Sequence, residues 1–200
     1  MKISSYILSG LLALLLISCH EDEAYPSLIS EFADLQSSKE GISQSFMLDD
    51  GTEYGIANPV EKLKPNATYR MMVTYALGED RKAWLYGLEG VYYLRDSSEV
   101  AKSDPTGVLS AWRAGKYINL QLAPKTQDGN RQYWGYCMDS ITPHHAHLSL
   151  YHNQNGDPTS YSTTVYASLP VDSIKGIDEG DTITLSINTF KGTREWTMRK

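Results

Sequence analysis

Tyr117-Ile118-Asn119-Leu120-Gln121-Leu122 is the stretch that decides the fold. Successive side chains of a β-strand leave on opposite faces, so Ile118, Leu120 and Leu122 point one way and Tyr117, Asn119 and Gln121 the other. The same alternation recurs along the chain. Ile183, Leu185 and Ile187 oppose Thr182, Thr184, Ser186 and Asn188. Val165, Ala167 and Leu169 oppose Thr164, Tyr166 and Ser168, and Met71, Val73 and Tyr75 oppose Met72, Thr74 and Ala76. Beyond residue 18 no long window carries an apolar period of 3.6, so helices are not expected. The β-branched and aromatic residues in these runs suit a pleated, half-buried surface.

Turn chemistry separates the runs. Asp50-Gly51, Asp128-Gly129 and Asn155-Gly156 read as hairpin signals, because type I′ turns need positive φ at both central residues. Five strands are expected before residue 96: Ser27–Leu35, Ile42–Leu48, Glu53–Ile56, Thr68–Leu77 and Ala83–Leu94. About seven more follow residue 106. The polar segment 97–106, with Ser97-Ser98-Glu99 and Ser103-Asp104-Pro105, reads as a linker. The expectation is an all-β chain in which residues 27–96 form a small OB-like five-stranded barrel and residues 107–200 a seven-stranded β-sandwich.

Leu48-Asp49-Asp50-Gly51-Thr52-Glu53-Tyr54, Asn58-Pro59 and Tyr69-Arg70-Met71-Met72-Val73-Thr74-Tyr75 mark the first half. Trp112-Arg113-Ala114-Gly115-Lys116-Tyr117-Ile118-Asn119-Leu120, His147-Leu148-Ser149-Leu150-Tyr151-His152-Asn153 and Gly180-Asp181-Thr182-Ile183-Thr184-Leu185 mark the second. Together they resemble the NigD-like lipoproteins of Bacteroidota. That resemblance implies an OB-like domain followed by a β-sandwich behind a lipid-attachment site. It implies no catalytic residues, and for function only a bacteriocin-immunity role by analogy.

The N-terminus carries its own message. Lys2 precedes an apolar stretch from Tyr6 to Ile17, which is signal-peptide length and too short to span a bilayer as a mature helix. Leu16-Ile17-Ser18-Cys19 resembles a bacterial lipobox, which makes Cys19 the lipidated first residue of the mature chain. Residues 1–18 are then a signal peptide and 19–26 an acidic tether. Two or more acyl chains anchor a protein stably. His20-Glu21-Asp22-Glu23 resembles a surface-export signal, and an outer-membrane lipoprotein is expected, facing either the surface or the periplasm. Losing one Lys and no acid takes the formal charge from −6 to −7. An acidic chain is repelled by backbone phosphates, so no nucleic-acid partner is expected.

Chemistry-bearing motifs are sparse. His145 and His147 share a strand face at i and i+2 and are weak metal candidates beside His144 and His152. No metal or cofactor is expected. Cys137, among aromatics, reads as a small buried hydrophobe. There is no Gly-x-Ser-x-Gly elbow, phosphate loop or dinucleotide pattern. Asn153-Gln154-Asn155-Gly156-Asp157 lacks the ligand series of a calcium loop. Asp139-Ser140-Ile141, Asp172-Ser173-Ile174 and Asp181-Thr182-Ile183 resemble O-glycosylation acceptors, which makes Ser140, Ser173 and Thr182 modification candidates.

The aromatics carry the remaining signal: 14 Tyr and 4 Trp against 3 Phe. Tyr117, Tyr151 and Tyr166 sit at polar-face positions and are the expected ligand-binding aromatics. Trp112, Trp134 and Trp196 are expected to fill the sandwich. The expected function is that of a non-enzymatic, lipid-anchored envelope protein binding a glycan or an envelope protein. A bacteriocin-immunity or accessory protein, and a hydrolase with an unrecognised site, are the alternatives.

Overall fold

A computed structural model describes residues 26–78, 80–98, 103–129 and 131–200; Cys19 and nearly all of the acidic tether lie outside them. The first five strands are β1 (Ile29–Ser37), β2 (Ser43–Leu48), β3 (Glu53–Gly55), β4 (Thr68–Leu77) and β5 (Ala83–Tyr93). They hydrogen-bond in the order β3-β2-β1-β4-β5. A parallel bridge between Ile56, just after β3, and Ala83 of β5 closes the circuit. The Ala57 amide donates to the Ala83 carbonyl at 2.9 Å there. Asn58 extends the seam: its Nδ2 donates to the Leu85 carbonyl at 2.8 Å, and its Oδ1 accepts from the Leu85 amide at 2.7 Å. The resulting order, β1-β2-β3-β5-β4-β1, is that of an OB-like barrel. Ala33, Leu35, Phe46, Val73, Tyr75 and Ala83 fill it, with the Phe46 and Tyr75 rings 5.0 Å apart.

The sandwich follows. Its main strands are β6 (Gly107–Ala114), β7 (Tyr117–Ala123), β9 (Tyr133–Thr142), β10 (His145–Asn153), β12 (Val165–Pro170), β13 (Thr182–Thr189) and β14 (Gly192–Arg199). The two-residue strands β8 (Lys125–Thr126) and β11 (Tyr161–Ser162) pair as a small ribbon. One layer holds β12-β7-β6 and the other β14-β13-β10-β9. Between them lie fully buried Ile118, Leu120, Leu122, Leu148, Leu169 and Leu185. Burying each such side chain contributes about 1.5–3 kcal/mol. These are the apolar positions of the alternating runs, so the period-two reading holds. An all-β chain of OB-like barrel and seven-stranded sandwich is the observed fold.

β5 belongs to both halves. Its residues from Ala83 to Gly90 pair with Leu77 to Met71 of β4, and Val91, Tyr92 and Tyr93 then pair in parallel with Tyr166, Ala167 and Ser168 of β12. One eight-stranded sheet, β3-β2-β1-β4-β5-β12-β7-β6, therefore runs through the molecule and across position 91. It curls until β4 meets β7 and β12 side chain to side chain. The barrel consequently covers part of the outer, polar face of the sandwich layer.

Turn geometry refines the hairpin reading. Asn155 and Gly156 have φ of 54° and 74°, the type I′ pattern. At Asp50-Gly51 and Asp128-Gly129 positive φ occurs at the glycine alone, 89° and 68°, so these two are not type I′. The Gly51 amide donates to the Leu48 carbonyl at 3.0 Å and the Leu48 amide to the Thr52 carbonyl at 2.8 Å. A longer hairpin loop built on a type I turn needs positive φ only at its final glycine.

Candidate functional site

Where the sheet folds onto itself, Arg70 of β4 projects from the barrel. Pairing with Asp34 of β1 puts the two on one barrel face. Every donor of the guanidinium is used. Nη1 and Nη2 grip Asp49 in a fork, at 2.7 and 2.8 Å to its two carboxylate oxygens. Nη1 also reaches Asp34 at 3.3 Å, Nη2 donates to Asn119 Oδ1 at 3.0 Å, and Nε donates to Ser168 Oγ at 3.0 Å. Bidentate, charge-assisted geometry of this kind is the strong form of the interaction. Ser168 Oγ donates onward to Asn119 Oδ1 at 2.7 Å, and Asn119 Nδ2 donates to Asp49 Oδ2 at 2.6 Å. Lys116 reaches Asp34 at 2.9 Å. The Tyr117 ring lies 3.9 Å from the guanidinium carbon, and its hydroxyl donates to Asp34 at 3.1 Å. Burial, and then the Asp34 charge, push the Tyr117 phenol well above its usual range, so it stays protonated. Two acids and two bases cancel, and barrel and sandwich are joined by a satisfied polar knot.

Beside the knot a cleft of about 500 Å³ opens between the two halves. From the barrel come Glu31, Phe32, Met72 and the Asp49-Asp50 turn; from the sandwich come Trp112, Gln121 and Tyr166. Phe32 holds the aromatic wall together, edge-on to Trp112 at 5.4 Å and to Tyr166 at 5.6 Å. Trp112 remains 37% exposed. Asp49 is engaged by Arg70 and Asn119, whereas Glu31 is exposed and receives the Tyr75 hydroxyl at 2.7 Å. Asp50 is also exposed; the Thr52 amide lowers its pKa by donating to the carboxylate. No Lys or Arg lines the cleft among the described residues. The site offers flat rings, amides and carboxylates, which is a binding chemistry.

The aromatic expectation divides. Tyr166 lines the cleft. Tyr117, at 5% exposure, presents no ring to a ligand, because the polar face of β7 that carries it is covered by the barrel. Tyr151, at 8%, is also buried: Ser103 and Asp104 bond to β10 on either side of it, at the Leu150 and His152 carbonyls. Trp112, expected in the sandwich core, is instead the exposed ring of the cleft. Trp134 and Trp196 do pack against the core.

The remaining candidates stay apart from the cleft. His145 and His147 share a face with their rings 3.9 Å apart, and His145 Nε2 is 2.9 Å from Thr184 Oγ1. No group of three or more His, Cys, Asp or Glu is placed to hold a metal ion among the described residues. Burial pushes the Cys137 thiol up, with Asp139 and Asp96 adding to the shift, which opposes a thiolate nucleophile. Asp157 is used internally by Thr126 Oγ1 and the amides of Gln127 and Asp128. Ser140 is exposed on β9; Ser173 Oγ donates to the Pro170 carbonyl at 2.6 Å, and Thr182 Oγ1 accepts from Arg199 at 3.1 Å.

A barrel and a sandwich sharing one sheet, with a cleft at their junction, define a two-part all-β protein. Residues 91–199 match the NigD-like C-terminal beta sandwich domain, and the chain belongs to that family. The match begins inside β5, where the strand passes from barrel to sandwich. Solved structures share the whole architecture. A NigD-like immunity protein from Bacteroides caccae is 24% identical, covering 86% of this chain and 93% of that one, with a TM-score of 0.70. A protein from Parabacteroides distasonis, provisionally described as toxin-related, is 14% identical over 87% and 93%, also with a TM-score of 0.70. A protein from Bacteroides fragilis, provisionally described as a lipoprotein, is 12% identical over 86% and 97%, with a TM-score of 0.61. At these identities the likeness is one of fold. No curated protein matches the chain. Among the described residues no helix is long and apolar enough to cross a membrane.

Proposed function

We propose that this chain is a non-enzymatic, lipid-anchored envelope protein that binds a glycan in the cleft between its two halves. The observation that carries this reading is the aromatic wall of Trp112, Phe32 and Tyr166 in an open cleft that Gln121, Glu31 and Asp50 also line. Sugar rings present C–H faces that stack on aromatics and hydroxyls that donate to carboxylates and amides. A cleft rather than a flat apolar patch fits a small or linear ligand better than a broad protein surface.

A second reading, an immunity or accessory protein that blocks a toxin, is supported by the shared fold and the name of the B. caccae protein. One experiment separates them. The full chain in detergent is titrated calorimetrically with oligosaccharides released from the native envelope, neutral and amino-sugar fractions in turn. The glycan reading expects saturable binding with Kd of about 1 μM to 1 mM. No heat from any fraction, with a single protein recovered stoichiometrically from the same envelope, would favour the second reading.

A further inference from the structure

The barrel carries an apolar surface that the cleft does not use. Ile29 pairs with Tyr75, and Ala76 with Trp84. Leu28, one residue before Ile29, therefore comes alongside Ala76, and Leu28, Ala76 and Trp84 form a row across three strands on one outer face. Ala76 is buried between its larger neighbours. Leu28, Ile29, Leu77, Trp84 and Tyr86 are 38–56% exposed. All five lie where the chain enters the barrel. β5 joins the sandwich at its other end, through Val91–Tyr93, so this surface and the sandwich occupy opposite ends of that strand.

We infer that this end of the barrel docks on the lipid surface that holds the anchor. The inference rests on the lipid-anchor reading of Cys19. Pro26 lies seven residues after Cys19, with six residues between them. Even fully extended, those seven steps reach only about 25 Å. The entry end of the barrel is thus confined near the bilayer, while the sandwich is not. Trp and Tyr rings, apolar in body and polar at one atom, are the side chains that settle at a membrane–water interface. Leu28 and Ile29 give the aliphatic contact beside them. Lipid is the occupant that chain length brings to this surface without a further partner. Docking fixes the orientation of the molecule, with the sandwich projecting outward.

The full chain, expressed with its own N-terminus and reconstituted into phosphatidylethanolamine–phosphatidylglycerol vesicles, tests this with a lipid-borne photoactivatable carbene probe. Labelled residues are mapped by mass spectrometry. Leu109 and Phe190 on the sandwich, 58% and 43% exposed, are internal controls. The expected result is at least about fivefold heavier labelling of Leu28, Leu77, Trp84 and Tyr86 than of the controls, and its loss at Trp84 neighbours in L28S/W84S. Equal labelling of patch and controls in vesicle-bound protein would overturn docking while leaving the anchor intact. A chain that never enters the vesicle fraction, and carries no added acyl mass, would overturn the anchor and the docking built on it.

Discussion

Arg70 shows how much one side chain can decide. It sits on a barrel strand, yet three of its partners, Asn119, Ser168 and the Tyr117 ring, come from the sandwich. Truncation would strand Asp34 and Asp49 in a low-dielectric seam, and removing one partner of a buried pair costs about 3–5 kcal/mol. R70M, close in volume, should therefore lower stability by about that amount in chemical denaturation. A loss below about 1 kcal/mol would mean the knot behaves like a surface pair. In the sequence Arg70 reads as an ordinary outward residue between Tyr69 and Met71. Nothing local distinguishes it, because its hydroxyl partner is 98 residues away. Gly115 tells a similar story: with φ of +50°, a Cβ there would lie 2.1 Å from the Asp49 carbonyl oxygen, so the β6–β7 turn can press against the cleft only as glycine.

At the scale of elements, the short ribbon of β8 and β11 depends on Asp157. The Thr126 hydroxyl, followed by the amides of Asp128 and Gln127, holds this carboxyl well below its ordinary range, at about 2. A depressed folded-state pKa gives stability that is present above the unfolded value of about 4 and lost as pH falls towards 2. Amide hydrogen exchange at Gln127 and Asp128 should therefore accelerate across pH 4 to 2, after correction for intrinsic rates. In D157N that pH step should vanish, with exchange fast throughout. A step unchanged in D157N would place its cause elsewhere. The strands themselves were legible, since β4 spans Thr68–Leu77 as its alternation indicates. The exchange of partners by β5 was not: Ala83 to Leu94 reads as one apolar strand whichever neighbours it has, and pairing between distant segments leaves no local pattern.

For the whole molecule, barrel and sandwich were readable because period-two patterning and turn residues report local geometry. The cleft was not, because alternation assigns a side chain to a face without saying what covers that face. Alternation puts Tyr117 and Tyr166 both on the polar side of their strands, and the curl of the sheet buries one and leaves the other lining the cleft. A faint signal existed at Phe32, an apolar ring on the same outer face as Asp34, pointing away from the barrel core. The same curl brings Phe32 to Trp112 and makes the site. The most direct test is glycan titration of the wild-type chain, W112A and W84A side by side. W84A alters another exposed tryptophan, outside the cleft, and serves as the match. The cleft account predicts at least tenfold weaker binding for W112A with W84A within twofold of wild type. Equal affinity in all three, or a loss in W84A alone, would contradict it.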